Sequence, residues 1–463
     1  MAAIHSKERS DSSLNLSTMP ESTFIRFCNR IIEIGLMSLI VFTPLAFGTV
    51  QVWSITTVHL ITLFMLTFWL IKMTALGNFK LAKTPLDLPI LLFLGIAVIT
   101  TLTSIYPYVS KTELYKIINY VLLYYLVVNN IKDKGQIKRI VILVVIVGTS
   151  LAIYGLYNYF NGIEKIYTLD KKYYLGMVTS TYVNHNHIGG YFELAIPLAI
   201  GLMLAKEHLL RRGKISKISS VVLGSVLLLA ATGIMIIALV FTYSRGAWIG
   251  FLGSMIGFGI IIALWLKILR GWSRPRKWGT FAVIALIIIS AAMFMPEDIK
   301  QRATTLLEFK EGEFEDMSIQ SRLIVNRNTL EMIKDYPILG SGPGTFNILY
   351  PKYRDPRLRT FMNATHNDYL QYAEEMGLFG IGSFILLLVL FFKKNLNLIK
   401  NLPDKYLQVL TIGFVVSVSA IAIHGLVDFN LQIPANALLF WIILALSSSI
   451  AIITRPEGRR TNP

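Results

Sequence analysis

The stretch SSVVLGSVLLLAATGIMIIALVFTYSRGAWIGFLGSMIGFGIIIALWL, residues 219–266, holds a single charged residue, Arg245, among 48. A hydrocarbon core about 30 Å thick is crossed by about 20 residues at helical rise. The stretch therefore reads as two membrane-crossing helices, 219–241 and 246–266, joined by the tight turn Tyr243-Ser244-Arg245-Gly246. Working outward by the same criterion, spans are expected at 31–48, 53–72, 86–105, 114–131, 139–158 and 188–205 on one side. On the other side they are expected at 278–295, 377–392, 407–425 and 435–453, twelve in all.

Composition agrees. Hydrophobic residues make up 54% of the 463 and charged ones 15%, where a soluble domain carries about 25% charged, so a water-soluble class is excluded. In a soluble chain the net charge of +17 would suggest a nucleic-acid partner, but here the basic residues sit in short loops between apolar spans, and no nucleic acid is expected. With both termini cytoplasmic, 28 of the 44 Lys and Arg fall on the inner side. Of the other 16, 10 lie in one long loop, leaving 28 against 6 for the short-loop comparison that sets orientation. Cys28 is the only cysteine, so no intrachain disulfide staples the outer loops. The polar leader with Asp11, Ser12, Ser13 and Glu21 does not resemble a cleavable signal, and the first helix is expected to remain as an anchor.

The expected organisation is a cytoplasmic leader at 1–30, nine spans within 31–295, an extracytoplasmic segment at 296–376, three spans within 377–453 and a cytoplasmic tail at 454–463. The 296–376 segment, about 80 residues, far exceeds the usual 2–8 residues between packed helices. Its apolar periodicity predicts an amphipathic helix over Ser318–Lys334, followed by a compact turn with Pro337, Gly340, Gly342, Pro343 and Gly344. The acidic run Glu308, Glu311, Glu313, Glu315 and Asp316 reads as a solvated face.

Arg245 stands at the outer junction of two uncharged spans. An arginine at membrane depth is costly unless it faces a polar cavity or snorkels to the interface, so function and snorkelling are the two readings. Arg322 and Arg327 lie on the amphipathic helix, where a converging pair would make a diphosphate clamp and separate ones would be solvated. His366, in Thr365-His366-Asn367-Asp368, is either a general base or incidental to a helix cap formed by its neighbours. His185 and His187, flanked by Asn184 and Asn186, have no further ligand in register, so no metal is expected and the run reads as the polar start of a helix. His424, Asp428 and Asn430 either line the same cavity or cap the eleventh span, and Glu193 faces protein one turn into the sixth.

Taken together, several motifs resemble the O-antigen ligase and polymerase superfamily of bacterial membrane glycosyltransferases. They are Ser244-Arg245-Gly246, Arg322, Asp335-Tyr336-Pro337-Ile338-Leu339-Gly340-Ser341-Gly342, His366-Asn367-Asp368-Tyr369-Leu370-Gln371 with Glu375 and Gly377, and His424-Gly425-Leu426-Val427-Asp428-Phe429. The resemblance implies an all-α integral membrane fold of the lipid-linked-sugar glycosyltransferase (GT-C-like) type, located in the bacterial cytoplasmic membrane with its active face outside. It also implies an undecaprenyl-diphosphate-linked glycan donor, an acceptor such as a lipid A core sugar or another glycan chain, and no cofactor. Arg245 and Arg322 would match the arginines that hold the diphosphate, and His366 the histidine that activates the acceptor hydroxyl. Asn184, Asn186, Asn367, Asp368, Tyr369 and Asp428 are assigned to substrate binding. Where relatives place an arginine, this chain has Met177-Val178-Thr179-Ser180-Thr181-Tyr182, so Lys171 or Lys172 would have to supply a third cation. The competing class is a flippase of lipid-linked oligosaccharide, but transporters concentrate polar sites near the membrane midplane, whereas here they crowd the outer end.

Overall fold

The computed structural model describes residues 23–210, 218–264, 319–356, 358 and 362–454. The expected span at 278–295 and the acidic run lie outside the described residues. Eleven long helices overlap the other expected spans. They are α1 (Thr23–Leu45), α2 (Val52–Ala75), α3 (Asp87–Leu102), α4 (Pro107–Asn130), α5 (Lys134–Phe160), α6 (His185–Leu210), α7 (Ile218–Val240) and α8 (Arg245–Leu264), then α10 (Asp368–Asn401), α11 (Lys405–His424) and α12 (Pro434–Ile453). The amphipathic helix of the long segment is α9 (Ile319–Asp335). A two-residue hairpin pairs Lys165–Ile166 with Leu169–Asp170.

Seven of the described helices are long and apolar enough to cross a membrane: α2, α5, α6, α7, α10, α11 and α12. Of the five other expected spans, that at 278–295 lies outside the described residues, and three of the rest have features that set them apart. Helix α1 carries Arg26, Arg30 and Glu33 in its first half, α3 has 16 residues, and α4 opens with Lys111, Glu113 and Lys116. Helix α8 is described only as far as Leu264.

Helices α6, α11 and α12 form the centre, with 89%, 83% and 83% of their apolar windows buried, against 28% for α2 and α7 at the periphery. In a bilayer, small residues let backbones approach where apolar burial gives no drive. Gly413 of α11 is such a residue: a Cβ there would lie 2.9 Å from the Pro197 carbonyl oxygen of α6. One turn on, the Ser417 hydroxyl donates to the Leu194 carbonyl at 2.8 Å.

The long segment is clipped onto this body by a helix break. Within α10, Gly377 adopts φ 65° and ψ −168°, a region open essentially to glycine alone. In an unbroken helix the Leu378 N–H would donate to the Glu374 carbonyl. Here Leu378 N–H donates to Pro337 O at 2.9 Å, and the freed Glu374 and Glu375 carbonyls accept from Ser341 N–H at 2.9 Å and Gly342 N–H at 3.0 Å. Across the same turn, Ser110 Oγ donates to Pro343 O at 2.9 Å and Ile105 N–H to Ser341 O at 3.0 Å, so the turn ties α10 to the α3–α4 junction.

A Cβ at Gly377 would meet Leu339 N at 2.6 Å and collide with the Ile338 carbonyl. Gly377→Ala is therefore expected to lose about 1–3 kcal/mol from backbone strain alone, read as a lower unfolding midpoint of the purified protein. Gly382→Ala, where an added Cβ meets nothing within 4 Å, is the control expected to be near neutral.

Candidate active site

Asp428, between α11 and α12, is the meeting point. Its side chain is 1% exposed. Oδ1 lies 3.3 Å from His366 Nδ1 and accepts the Phe429 N–H at 2.9 Å, while Oδ2 lies 3.4 Å from an Arg322 terminal nitrogen. The other terminal nitrogen of Arg322 donates to Val427 O at 2.5 Å. Burial alone would push the Asp428 carboxyl up, but the Arg322 guanidinium, followed by His366, outweighs it and holds the group well below the usual carboxylate range.

His366 reaches this point because the turn before α10 is over-determined. Asn367 caps the helix by accepting from the Tyr369 and Leu370 N–H groups, both at 3.0 Å, and its amide donates to Leu426 O at 2.9 Å. Thr365 Oγ donates to Asn367 O at 2.6 Å. Asp368 N–H donates to Gly425 O at 2.8 Å, Asp368 Oδ2 accepts from Leu431 N–H at 3.2 Å, and Tyr369 OH donates to Ala422 O at 2.8 Å. With the turn fixed, His366 sits at φ 55°, left-handed backbone that a non-glycine residue adopts at a cost of about 1–3 kcal/mol. The capping and general-base readings of this motif are thus compatible: Asn367 caps, and His366 is pointed by the cap toward Asp428.

Asn367, Asp368 and Tyr369, expected at the substrate, each also bond to the 422–431 segment, and Asp368 Oδ1 is buried without a partner among the described residues. Asn184 and Asn186 likewise shape the start of α6: Asn184 Oδ1 accepts the Asn186 N–H at 2.8 Å, and its amide donates to Tyr174 OH at 3.2 Å. Arg327 is exposed, so the two arginines of α9 do not converge; five residues apart, they point to different sides of the helix. Lys171 is paired with Glu164 at 2.7 Å and donates to Met177 O at 3.2 Å.

Arg245 opens α8, half-buried, where the positive end of the helix dipole adds to its charge. Ser244 accepts the Ala247 N–H at 3.3 Å, and Tyr243 before it has φ 57°. Gly246 brings this end against the same segment that carries Asp428: a Cβ there would lie 2.6 Å from His424 Nε2 and 3.1 Å from Val427 Cγ2. Behind it, His424 Nδ1 meets Glu193 Oε2 at 2.7 Å, both fully buried, so Glu193 faces protein as expected.

The structure adds residues that sequence spacing did not single out. The Phe429 ring stands edge-on to both His366 and His187, each with ring centres 4.9 Å away, which brings His187 to the site from α6. His187 Nε2 is buried without a hydrogen-bond partner among the described residues. Tyr174 is close enough that, beyond its burial, the Asp428 charge raises its phenol and Arg322 opposes the rise. Tyr174 lies in the segment between α5 and α6, where no spacing marked it. Among the described residues no group of three or more His, Cys, Asp or Glu is arranged to hold a metal.

A family model described as O-antigen ligase matches residues 230–385. The match spans about a third of the chain and supports assignment to the O-antigen ligase and polymerase superfamily. The match covers Arg245, Arg322 and His366 and ends within α10. Together with the apolar helices, it supports a multi-pass bacterial membrane protein of the glycan ligase or polymerase type. A search of curated proteins finds no match.

Asp428→Asn leaves the Arg322 guanidinium without its counter-charge, and a loss of about 1–3 kcal/mol at neutral pH is expected. A carboxyl depressed on folding contributes stability above its ordinary value and loses it as pH falls through the depressed value. The gap between wild type and Asp428→Asn in unfolding midpoint should therefore be full at neutral pH and close on strong acidification. A gap that widens with acid would contradict the assignment.

Proposed function

We propose that this O-antigen ligase family enzyme transfers a glycan from a polyprenyl-diphosphate donor to a hydroxyl acceptor at the outer face of the cytoplasmic membrane. The observation that carries the reading is the Asp428 carboxylate touching both His366 and Arg322. An imidazole that donates its Nδ1–H to a carboxylate presents the Nε2 lone pair, the arrangement of an oriented general base. In the proposed step the acceptor hydroxyl gives its proton to His366 Nε2 as its oxygen bonds to the anomeric carbon. The bond from that carbon to the diphosphate oxygen breaks, and the diphosphate leaves with the electron pair.

The leaving charge is met by Arg245 at the N-terminus of α8 and by the donors of Arg322 not used on Val427 and Asp428, since preorganised cations act most strongly where charge develops. Arg322 thereby has two roles, setting Asp428 and facing the diphosphate. The acceptor hydroxyl belongs to a lipid A core sugar or to the end of another glycan chain. No metal enters the step.

His366→Ala should lower transfer by 100-fold or more, the scale of a lost general base, and Arg245→Ala should be comparably impaired, with membrane insertion retained in both. The measurement is consumption of polyprenyl-diphosphate-linked glycan presented on the outer leaflet, together with the new glycosidic bond. Full activity in both variants would sink the site assignment, and donor movement without bond formation would favour a flippase.

A further inference from the structure

A second polar cluster lies apart from the Asp428 site, in a narrow, partly open cleft of about 40 Å³ between α3, α4, α10 and α12. Glu113, Lys116, Ile117 and Tyr120 line it from α4, at spacings of three and four that place them on one helix face. Opposite stand Glu375 of α10, Gln432 of the turn before α12, and Trp441 of α12. The rings of Tyr120 and Trp441 stack nearly parallel, 17° apart with centres 6.5 Å apart, as an aromatic shelf of which little is exposed, 9% of Tyr120 and 6% of Trp441. A water-sized hollow of about 10 Å³ shares the lining residues Lys116 and Tyr120 and is also lined by Asn119 and His59.

Two amide donors here are unused. Asn119 is 4% exposed and its Nδ2 has no hydrogen-bond partner among the described residues, and the same holds for the buried Nε2 of Gln432. A buried donor left unpaired costs about 1–3 kcal/mol, so both stand ready for an acceptor oxygen. The charges also discriminate. Lys116 is paired with Glu113 at 2.5 Å, so the lining of the cleft offers no uncompensated cation for a diphosphate among the described residues. Amide donors, carboxylate acceptors and an aromatic shelf together suit a ligand with vicinal hydroxyls on one side and C–H groups on the other.

We propose that this cleft is a saccharide subsite that holds uncharged sugar units of the acceptor while its terminal hydroxyl reaches His366; this rests on the transferase reading above. The two sites share their walls. Gln432 lies four residues from Asp428, a separation of at most about 14 Å along the chain. Glu375 lies on the helix whose cap positions His366. An acceptor seated on the shelf is a short oligosaccharide's length from the base.

The test reads binding rather than transfer, so it stands even if the chemistry at His366 is otherwise. Full-length protein in nanodiscs free of sugar-based detergent is probed by saturation-transfer NMR with neutral gluco-, galacto- and manno-oligosaccharides, with inorganic pyrophosphate as the charged comparison. Wild type and His366→Ala should bind at least one neutral oligosaccharide, and Asn119→Leu and Gln432→Leu should each weaken that binding at least tenfold. A purely structural Asn119 predicts the reverse, because replacing an unpaired buried amide by leucine should leave the fold as stable or more so and binding unchanged. Absence of neutral-sugar binding, binding that ignores both substitutions, or displacement of the sugar by pyrophosphate would each overturn the proposal. Retained sugar binding with full transfer in His366→Ala would overturn only the catalytic reading.

Discussion

A carboxylate taken out of water is costly unless it is paired and hydrogen-bonded, and Asp428 is buried to within 1% of its side-chain surface. Its partners come from distant parts of the chain: Arg322 from α9, His366 from the turn before α10, and the Phe429 N–H from its own segment. Satisfying this one group therefore draws the end of the long segment and the first turn of α10 onto the junction of α11 and α12. The same carboxylate that stabilises the closure orients the imidazole. Fold and site share a single electrostatic cause.

The clip at Gly377 supplies the mechanical counterpart. By joining the break to the turn 337–342 through three hydrogen bonds, it fixes the register of α10 against the segment that delivers Arg322. Left-handed backbone at Tyr174, Ser180, Tyr243 and His366 accompanies it, in the turns that lead to α6, α8 and α10. Such residues persist only where surrounding contacts over-determine them. At His366 those contacts can be named: the Asn367 cap, the Thr365 hydroxyl and the Asp368 backbone bonds to residues 425 and 428.

Much of the fold was legible because membrane helices announce themselves by apolar length. Each expected span within the described residues has a helix, and the amphipathic helix read at 318–334 is observed one residue along. Ends were less legible, since α4 begins seven residues before its expected span with charged side chains at the interface, and α10 merges a cap, a break and a span into one element. Arg322 and His366 were legible as chemistry; their joint attachment to Asp428 was not, because 106 and 62 residues separate the partners. The motif His366-Asn367-Asp368-Tyr369 carries more structure than its residue types reveal. Its polar residues suggested contacts with a substrate, and three of them also build the turn that aims the fourth.

Arg322 shows why residue type matters here. Its fork reaches the Val427 carbonyl and the Asp428 carboxylate at once, a division that a single ammonium could not match with the same geometry. Those bonds commit part of the guanidinium to the protein, so it is not a cation held solely for an anion. The other cations singled out nearby are spent differently: Lys171 on Glu164, and Arg327 on solvent. At the N-terminus of α8, Arg245 and the helix dipole coincide, and Gly246 brings that end close to His424 and Val427. The opening stretch of two apolar spans around one arginine thus marks where the membrane body presents charge to the site that Asp428 assembles.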